Sequence, residues 1–174
     1  MDIVAIIIIV IIGVILVLTF YLIGLYNKLI DSRNRVTDQF NQIDTELKKV
    51  VNLVPNLIET VKEYAKHEEK ALTEVTNAKN KLLKTNDINE EIKVANNLNK
   101  SINKVIMLSE TYSELKSNKK FQNVQKELKN IEERIDYAKS FYNDTVLNYN
   151  SLREQFPNNI IANIFKFKEI NYFK

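Results

Sequence analysis

The chain has 174 residues, of which 27% are charged and 45% are hydrophobic, and its formal net charge is +3 at neutral pH. Positive and negative residues are interleaved, which is typical of a solvated surface and not of a nucleic-acid-binding face. There is no cysteine, so disulfides, thiolate metal sites and cysteine nucleophiles are excluded. The two glycines, Gly13 and Gly24, both lie near the N-terminus, which makes the rest of the chain easier to build from helices than from strands and tight turns.

An almost unbroken aliphatic run extends from Ile3 to Ile23 and includes Gly13. A bilayer core about 30 Å thick needs about 20 apolar residues in a helix, so residues 1–24 are predicted to form a transmembrane anchor. A cleaved signal peptide is not favoured, because its apolar core would be only roughly 7–15 residues long and would follow a basic segment. No Lys or Arg precedes the run.

Basic residues flank the apolar run on one side only. Lys28, Arg33 and Arg35 follow it closely. The positive-inside rule keeps such juxtamembrane basic residues in the cytoplasm. The chain is therefore predicted to be a single-pass membrane protein with its N-terminus outside and its remaining residues in the cytoplasm.

After the anchor, apolar residues recur at three- and four-residue steps, which predicts a helix that packs against other helices. This first helix is expected to extend from Leu25 to Lys84. Pro55 lies inside the repeat, where proline removes a helical hydrogen bond at a cost of about 3 kcal/mol. Because the repeat passes through it in register, a kink is favoured over a reversal, although a helix of ~90 Å would be much longer than its partners. The apolar positions are Leu29, Val36, Phe40, Ile43, Leu47, Val50, Val54, Leu57, Val61 and Tyr64, followed by Ala71, Val75, Ala78 and Leu82.

Two more long helices are predicted. Asp87 and Glu90 form a capping pair that opens the second helix, which is expected to reach Leu115. The third helix begins near Phe121 and carries an unbroken three- and four-residue repeat to Phe156, as in a left-handed bundle. Three asparagines of this helix could pair polar groups inside the bundle, but surface exposure is the default expectation for them, namely for Asn143, Asn148 and Asn150.

The predicted fold class is all-α, with a single N-terminal transmembrane helix followed by an antiparallel bundle of three to four long helices. The bundle is assigned to residues 25–159, and residues 160–174 form an aromatic and basic tail. Packing of this tail on the bundle is favoured over contact with lipid head groups. With a reversal at Pro55 the bundle would have four helices and the tail would return to the bilayer.

Several blocks of the sequence resemble the bacterial LemA family, chiefly QIDTELKK at 42–49, LVPNLIETVK at 53–62 and YAKHE at 64–68. The resemblance extends over nearly the whole chain and implies an N-terminally anchored helical bundle in a bacterial cell membrane. It implies no established activity, and a supporting role at the membrane is the usual expectation. Phe40 stands where the family pattern has Trp, and Lys166 stands where its tail usually has Gly.

Residues suited to catalysis or metal binding are few. His67 is the only histidine, and Glu63 lies one turn before it. Di-iron bundles use Glu-x-x-His pairs on two helices, so an exposed salt link is the favoured interpretation of His67. A glycine-rich phosphate loop cannot form after the anchor, because that part of the chain contains no glycine. No catalytic residue, metal or cofactor is therefore predicted, and the protein is expected not to be an enzyme.

The favoured functional hypothesis is a membrane-tethered scaffold or adaptor whose helix faces bind an unidentified protein. The alternative is a lipid-engaging protein that shapes or senses the membrane through its aromatic-basic tail and juxtamembrane basic residues. An exposed helix seam could also close against a second copy, which would give a homo-oligomer. The candidate interaction residues are Asn52, Pro55, Asn56, His67, Phe165, Phe167, Tyr172 and Phe173.

Overall fold

A computed structural model of the chain describes residues 3–173. The described residues form six helices and no strand, which confirms the all-α prediction. The helices are α1 Ile3–Tyr64, α2 Glu69–Leu82, α3 Ile88–Thr111, α4 Ser113–Ser117, α5 Lys119–Glu154 and α6 Asn158–Ile164.

The first helix contains both the apolar run and the first helix of the bundle. It continues through Pro55 without a break, as the register of the repeat predicted. The prediction that this helix reaches Lys84 is wrong, because the chain leaves it after Tyr64 and begins α2 at Glu69. The apolar repeat passes from Tyr64 to Ala71 in a single step of seven residues, or about two helical turns. This step is compatible with one continuous helix and equally with two helices joined by a turn.

The other predicted boundaries are close to the observed ones. Asp87 is the N-cap of α3, and its carboxylate accepts a hydrogen bond from the backbone N–H of Glu90 at 3.1 Å. The second predicted helix corresponds to α3, which ends at Thr111 and not at Leu115. Tyr112 adopts an extended backbone conformation that separates α3 from the short α4.

The chain divides into two compact units. Residues 3–38 and 144–170, which we call the anchor unit, contain the apolar part of α1, the end of α5 and all of α6. Residues Gln39–Asn143 and 171–173, which we call the bundle unit, contain the remaining helices and the last described residues.

Within the bundle unit, neighbouring helices run antiparallel. Contacts between α1 and α5 join early residues of one helix to late residues of the other, and the same holds for α2 and α3. The pairs that define these directions are Phe40 with Tyr142, Tyr64 with Asn118, Glu68 with Tyr112 and Glu74 with Lys104.

The predicted apolar repeats supply most of the core. The positions from Leu29 to Val61 are all buried, as are Phe121, Tyr142 and Tyr149 on α5. Other predicted positions, such as Tyr64, Ala71 and Leu152, are half-buried, and Phe156 is 80% exposed because α5 ends at Glu154. Its inclusion in the core repeat of the third helix is wrong.

Candidate functional site

The apolar run of α1 is long and apolar enough to cross a membrane, by length and composition, and none of it is buried. Ile3, Gly13 and Ile23 are all exposed. A buried core helix would have its apolar side chains covered by neighbouring elements. The described residues therefore leave a continuous apolar surface around this part of α1.

The basic residues that follow the run border a cleft in the anchor unit. Lys28, Arg33 and Arg35 are exposed, and Lys28 and Arg35 line a cleft of about 370 Å³ whose opposite wall is α5. Arg33 instead places its guanidinium carbon 5.5 Å from the centre of the Phe167 ring, within the range of a cation–π contact.

The tail is held in the anchor unit by a tyrosine and an asparagine of α5. The Asn150 side-chain amide donates to the carbonyl oxygen of Ile170 at 2.8 Å and accepts from the backbone N–H of Ile170 at 3.2 Å. The neighbouring Tyr149 hydroxyl donates to the carbonyl oxygen of Lys168 at 2.8 Å. Asn150 is buried, so the default expectation of a surface asparagine is wrong for this residue.

A second tyrosine–asparagine pair holds the end of the tail in the bundle unit. The Asn143 amide donates to the carbonyl oxygen of Phe173 and accepts from its backbone N–H, both at 2.9 Å. Tyr142 donates to the carbonyl oxygen of Asn171 at 2.9 Å, and the Asn171 N–H donates to Asn89 Oδ1 at 2.8 Å. Asn143 is thus also engaged, whereas Asn148 is exposed as expected.

Both tyrosines act as neutral donors in these contacts. Burial raises the pKa of Tyr142, and burial also raises the pKa of Tyr149 against the opposing effect of Arg153 and Arg33. A phenol with a raised pKa keeps its proton near neutral pH, and this proton is the one donated to the tail carbonyl.

The tail aromatics fall into two groups. Phe167 and Phe173 are buried, whereas Phe165 and Tyr172 are exposed. In the anchor unit, the Tyr26 ring lies 4.8 Å from the Phe165 ring and 5.8 Å from the Phe167 ring. Tyr26 follows the apolar run by three residues, so these aromatics lie beside the end of the candidate span.

Lys166 has a φ of 54°, in the left-handed region that favours glycine. The backbone N–H of Lys166 donates a hydrogen bond to the carbonyl oxygen of Asn163 at 3.3 Å, and the N–H of Phe167 donates to the carbonyl oxygen of Ala162 at 2.9 Å. These two bonds form a Schellman motif that ends α6, with Lys166 at the position where glycine is usual. A glycine at position 166 would adopt this conformation without strain.

A groove runs along the bundle unit between α1, α3 and α5. Its volume is about 220 Å³, which is below the roughly 300–1,000 Å³ of a typical small-molecule pocket. Its floor is aliphatic, its rim carries side-chain amides together with Lys129, Glu132 and Lys139, and Phe173 also lines it. The principal floor residues are Leu47, Val50, Ala95, Leu98, Ile102 and Leu128, and the rim includes Asn96, Asn99, Asn103 and Gln125.

The sequence model of the LemA family matches residues 39–174, which is most of the chain. The protein belongs to the LemA family. A search of curated proteins finds no match for it. The matched region of this LemA protein contains the groove, both tyrosine–asparagine pairs and α6.

The predicted interaction residues of this LemA protein are spread over several surfaces. Asn52, Pro55 and Asn56 are exposed on one face of α1. His67 is exposed in the turn between α1 and α2, so it does not form a helical i, i+4 pair with Glu63. Phe173 is the predicted residue that lines the groove. Among residues 3–173, no group of three His, Cys, Asp or Glu side chains could hold a metal ion.

Sequence reasoning missed one pair of interacting carboxyl groups in this LemA protein. The carboxyls of Asp44 on α1 and Glu91 on α3 interact, and Lys48 donates to Asp44 Oδ2 at 2.6 Å. Burial, together with Asp44, raises the pKa of Glu91 to about 7. The pair could not be seen in the sequence, because its members lie on different helices.

Proposed function

We propose that this LemA protein is a non-enzymatic, membrane-anchored scaffold that binds a helix of a partner protein in the groove of the bundle unit. The apolar part of α1 crosses a bacterial cell membrane once, with the N-terminus outside and the bundle in the cytoplasm. The support for anchoring is the uncovered apolar surface of α1, and the support for the orientation is the basic segment after it.

The observation that carries the binding proposal is the shape and chemistry of the groove. It follows α3 from Ala95 to Ile106, a length of about three helical turns. Partner helices dock in such grooves through apolar side chains at i, i+3, i+4 and i+7. A volume of about 220 Å³ suits a few anchoring side chains better than a cofactor.

The rim of the groove defines the polar face of the partner. Asn96, Asn99 and Asn103 line one side, and Asn99 donates to Glu132 Oε1 at 3.0 Å. Amide side chains offer donors and acceptors without net charge. Lys129, Glu132 and Lys139 also line the groove. The expected partner helix therefore has a stripe of Leu, Ile or Val bordered by both charged and uncharged polar residues.

Site-specific photo-crosslinking in living cells tests this proposal. A photoreactive amino acid replaces Asn103 on the rim of the groove, and the matched control replaces Asn97, an exposed asparagine of α3 that does not line the groove. We expect one defined adduct from position 103 and none from position 97. Adding Asn99→Arg, which narrows the groove, should remove the adduct.

Two results would contradict the scaffold. Equal adducts from positions 97 and 103 would show that the groove is not the contact surface. An adduct consisting only of a second copy of the chain would assign the groove to a homo-oligomer.

The orientation has a separate test, because the chain contains no cysteine. A single cysteine replaces Asn86, an exposed residue between α2 and α3, and intact cells are treated with an impermeant maleimide. Protection until lysis is expected for a cytoplasmic bundle. Labelling of intact cells would place the bundle outside and would move the partner search to the cell envelope.

A further inference from the structure

The short helix α6 carries exposed apolar side chains as well as a buried face. Asn158, Ile161 and Ala162 lie on its buried face. The outer face continues into the flanking residues and forms what we call the α6 patch. Its members are Phe156, Ile160, Ile164 and Phe165, which are 80%, 48%, 65% and 56% exposed.

The α6 patch lies beside the candidate membrane span. The Phe165 ring is 4.8 Å from the ring of Tyr26, and Tyr26 follows Ile23 by three residues. Three residues of helix rise only about 4.5 Å. The Phe165 end of the patch therefore contacts α1 within one helical turn of the end of the apolar run.

The chemistry around the patch fits the boundary between lipid and water. Tyrosine is enriched at this boundary because its amphipathic ring lies at the level of the head groups, and interfacial helices bury Phe and Leu side chains in the layer below. No residue of α6 is charged, and the exposed Lys166 and Lys168 follow it directly. Lysine side chains can extend their ammonium groups toward lipid phosphates while their methylene groups stay in the apolar layer.

We propose that the α6 patch inserts into the interface of the same leaflet from which α1 emerges, so that the anchor unit contacts the bilayer at two points. The inference rests on the proposed membrane anchoring. The lipid surface is the assigned occupant because the patch is continuous with the uncovered surface of the span through Tyr26 and Phe165. Contact with lipid then comes from α6 and its flanks and not from the whole tail, since Phe167 and Phe173 are buried.

Tryptophan fluorescence of the full chain in liposomes tests the insertion directly. The chain contains no tryptophan, so each variant Ile164→Trp, Phe20→Trp or Leu147→Trp carries a single reporter. The liposomes contain phosphatidylcholine and phosphatidylglycerol, with or without lipids that are brominated on the acyl chain near the head group. Phe20 lies in the span, and Leu147 is an exposed apolar residue of α5 in the same unit.

An interfacial helix is buried about 5–10 Å into the head-group and acyl boundary, so the brominated lipids should reduce the Ile164→Trp emission about twofold or more. Phe20→Trp should also be quenched, and Leu147→Trp should not. The Ile164 side chain is largely exposed, which makes the substitution compatible with folding. Phe156→Trp provides a second reporter on the same patch and should behave like Ile164→Trp.

The possible results separate the two proposals. Quenching of Phe20→Trp without quenching at Ile164 and Phe156 would overturn the α6 insertion and leave the anchor intact. If Phe20→Trp is not quenched either, the membrane anchor itself is wrong. Equal quenching at Ile164 and Leu147 would also overturn the assignment to α6. A blue-shifted, concentration-dependent emission at Ile164 without bromine quenching would show that a second copy of the chain covers the patch.

Discussion

Replacing Asn150 by alanine should release the backbone of Ile170 from α5. The Asn150 amide makes two hydrogen bonds to the backbone of Ile170, one as donor at 2.8 Å and one as acceptor at 3.2 Å. Alanine can make neither. The backbone N–H and carbonyl of Ile170 then either stay near α5 without partners or move into water.

The expected loss follows from these two contacts. A partly buried polar group left without a partner costs about 1–3 kcal/mol, and two such groups are involved. The total loss of stability is limited, because the N–H and carbonyl of Ile170 can bind water once they move away from α5. We expect the free energy of unfolding to fall by about 2–3 kcal/mol, after allowing for the roughly 0.5 kcal/mol that alanine gains over asparagine within a helix.

Asn148→Ala is the matched control, since Asn148 is an exposed asparagine on the same helix and its replacement brings the same gain in helix propensity. Urea unfolding of the full chain in a mild detergent, followed by circular dichroism, gives both free energies. Hydrogen exchange at the Ile170 amide should accelerate in Asn150→Ala and stay unchanged in Asn148→Ala. Equal unfolding free energies and an unchanged Ile170 exchange rate would refute the proposed role of Asn150.

Three further changes have defined outcomes. Lys166→Gly should raise the free energy of unfolding by about 0.5–1 kcal/mol in urea unfolding, because glycine removes the left-handed strain at φ 54° and this gain exceeds its entropic cost; no change would mean that the Schellman motif is not formed. Asp87→Ala should lower the free energy of unfolding by about 1 kcal/mol through loss of the α3 N-cap. Asp87→Asn should retain most of the stability, because asparagine can also cap a helix. Because burial and Asp44 raise the pKa of Glu91 from its ordinary value of 4.5 to about 7, the folded protein binds more protons in this range and stability should fall as pH rises from about 4.5 to about 7. Glu91→Gln should reduce that slope, and an identical pH profile in the variant would assign the slope to other groups.

The helices and most of the core could be predicted from the sequence because apolar spacing follows helix geometry directly. The repeat from Leu29 to Val61 marks the buried face of α1, and Asp87 marks the start of α3. The end of α1 at Tyr64 could not be predicted in the same way. The polar residues between Tyr64 and Ala71 fit an exposed helix surface and a turn equally well.

The contacts of the tail could not be predicted because they depend on pairing between distant residues. Asn150 and Ile170 are 20 residues apart, and an asparagine on a helix is usually solvated. One signal was present in the sequence, since a Tyr-Asn dipeptide occurs at 142–143 and again at 149–150, one heptad later. This spacing places the second asparagine on the same face as the first, although it does not identify the backbone that they bind.

The hydrogen bonds that the tyrosines and asparagines of α5 make with the tail reach main-chain atoms of the tail. These bonds do not depend on the identity of the tail side chains, although Glu169 adds an ion pair with Arg153 of α5 at 3.8 Å. Proline is the exception, because it has no N–H, and positions 170, 171 and 173 each donate one. The asparagines and tyrosines of α5 thus bind the tail through its backbone, so the tail sequence can vary at the bonded positions except where a side chain makes a contact of its own.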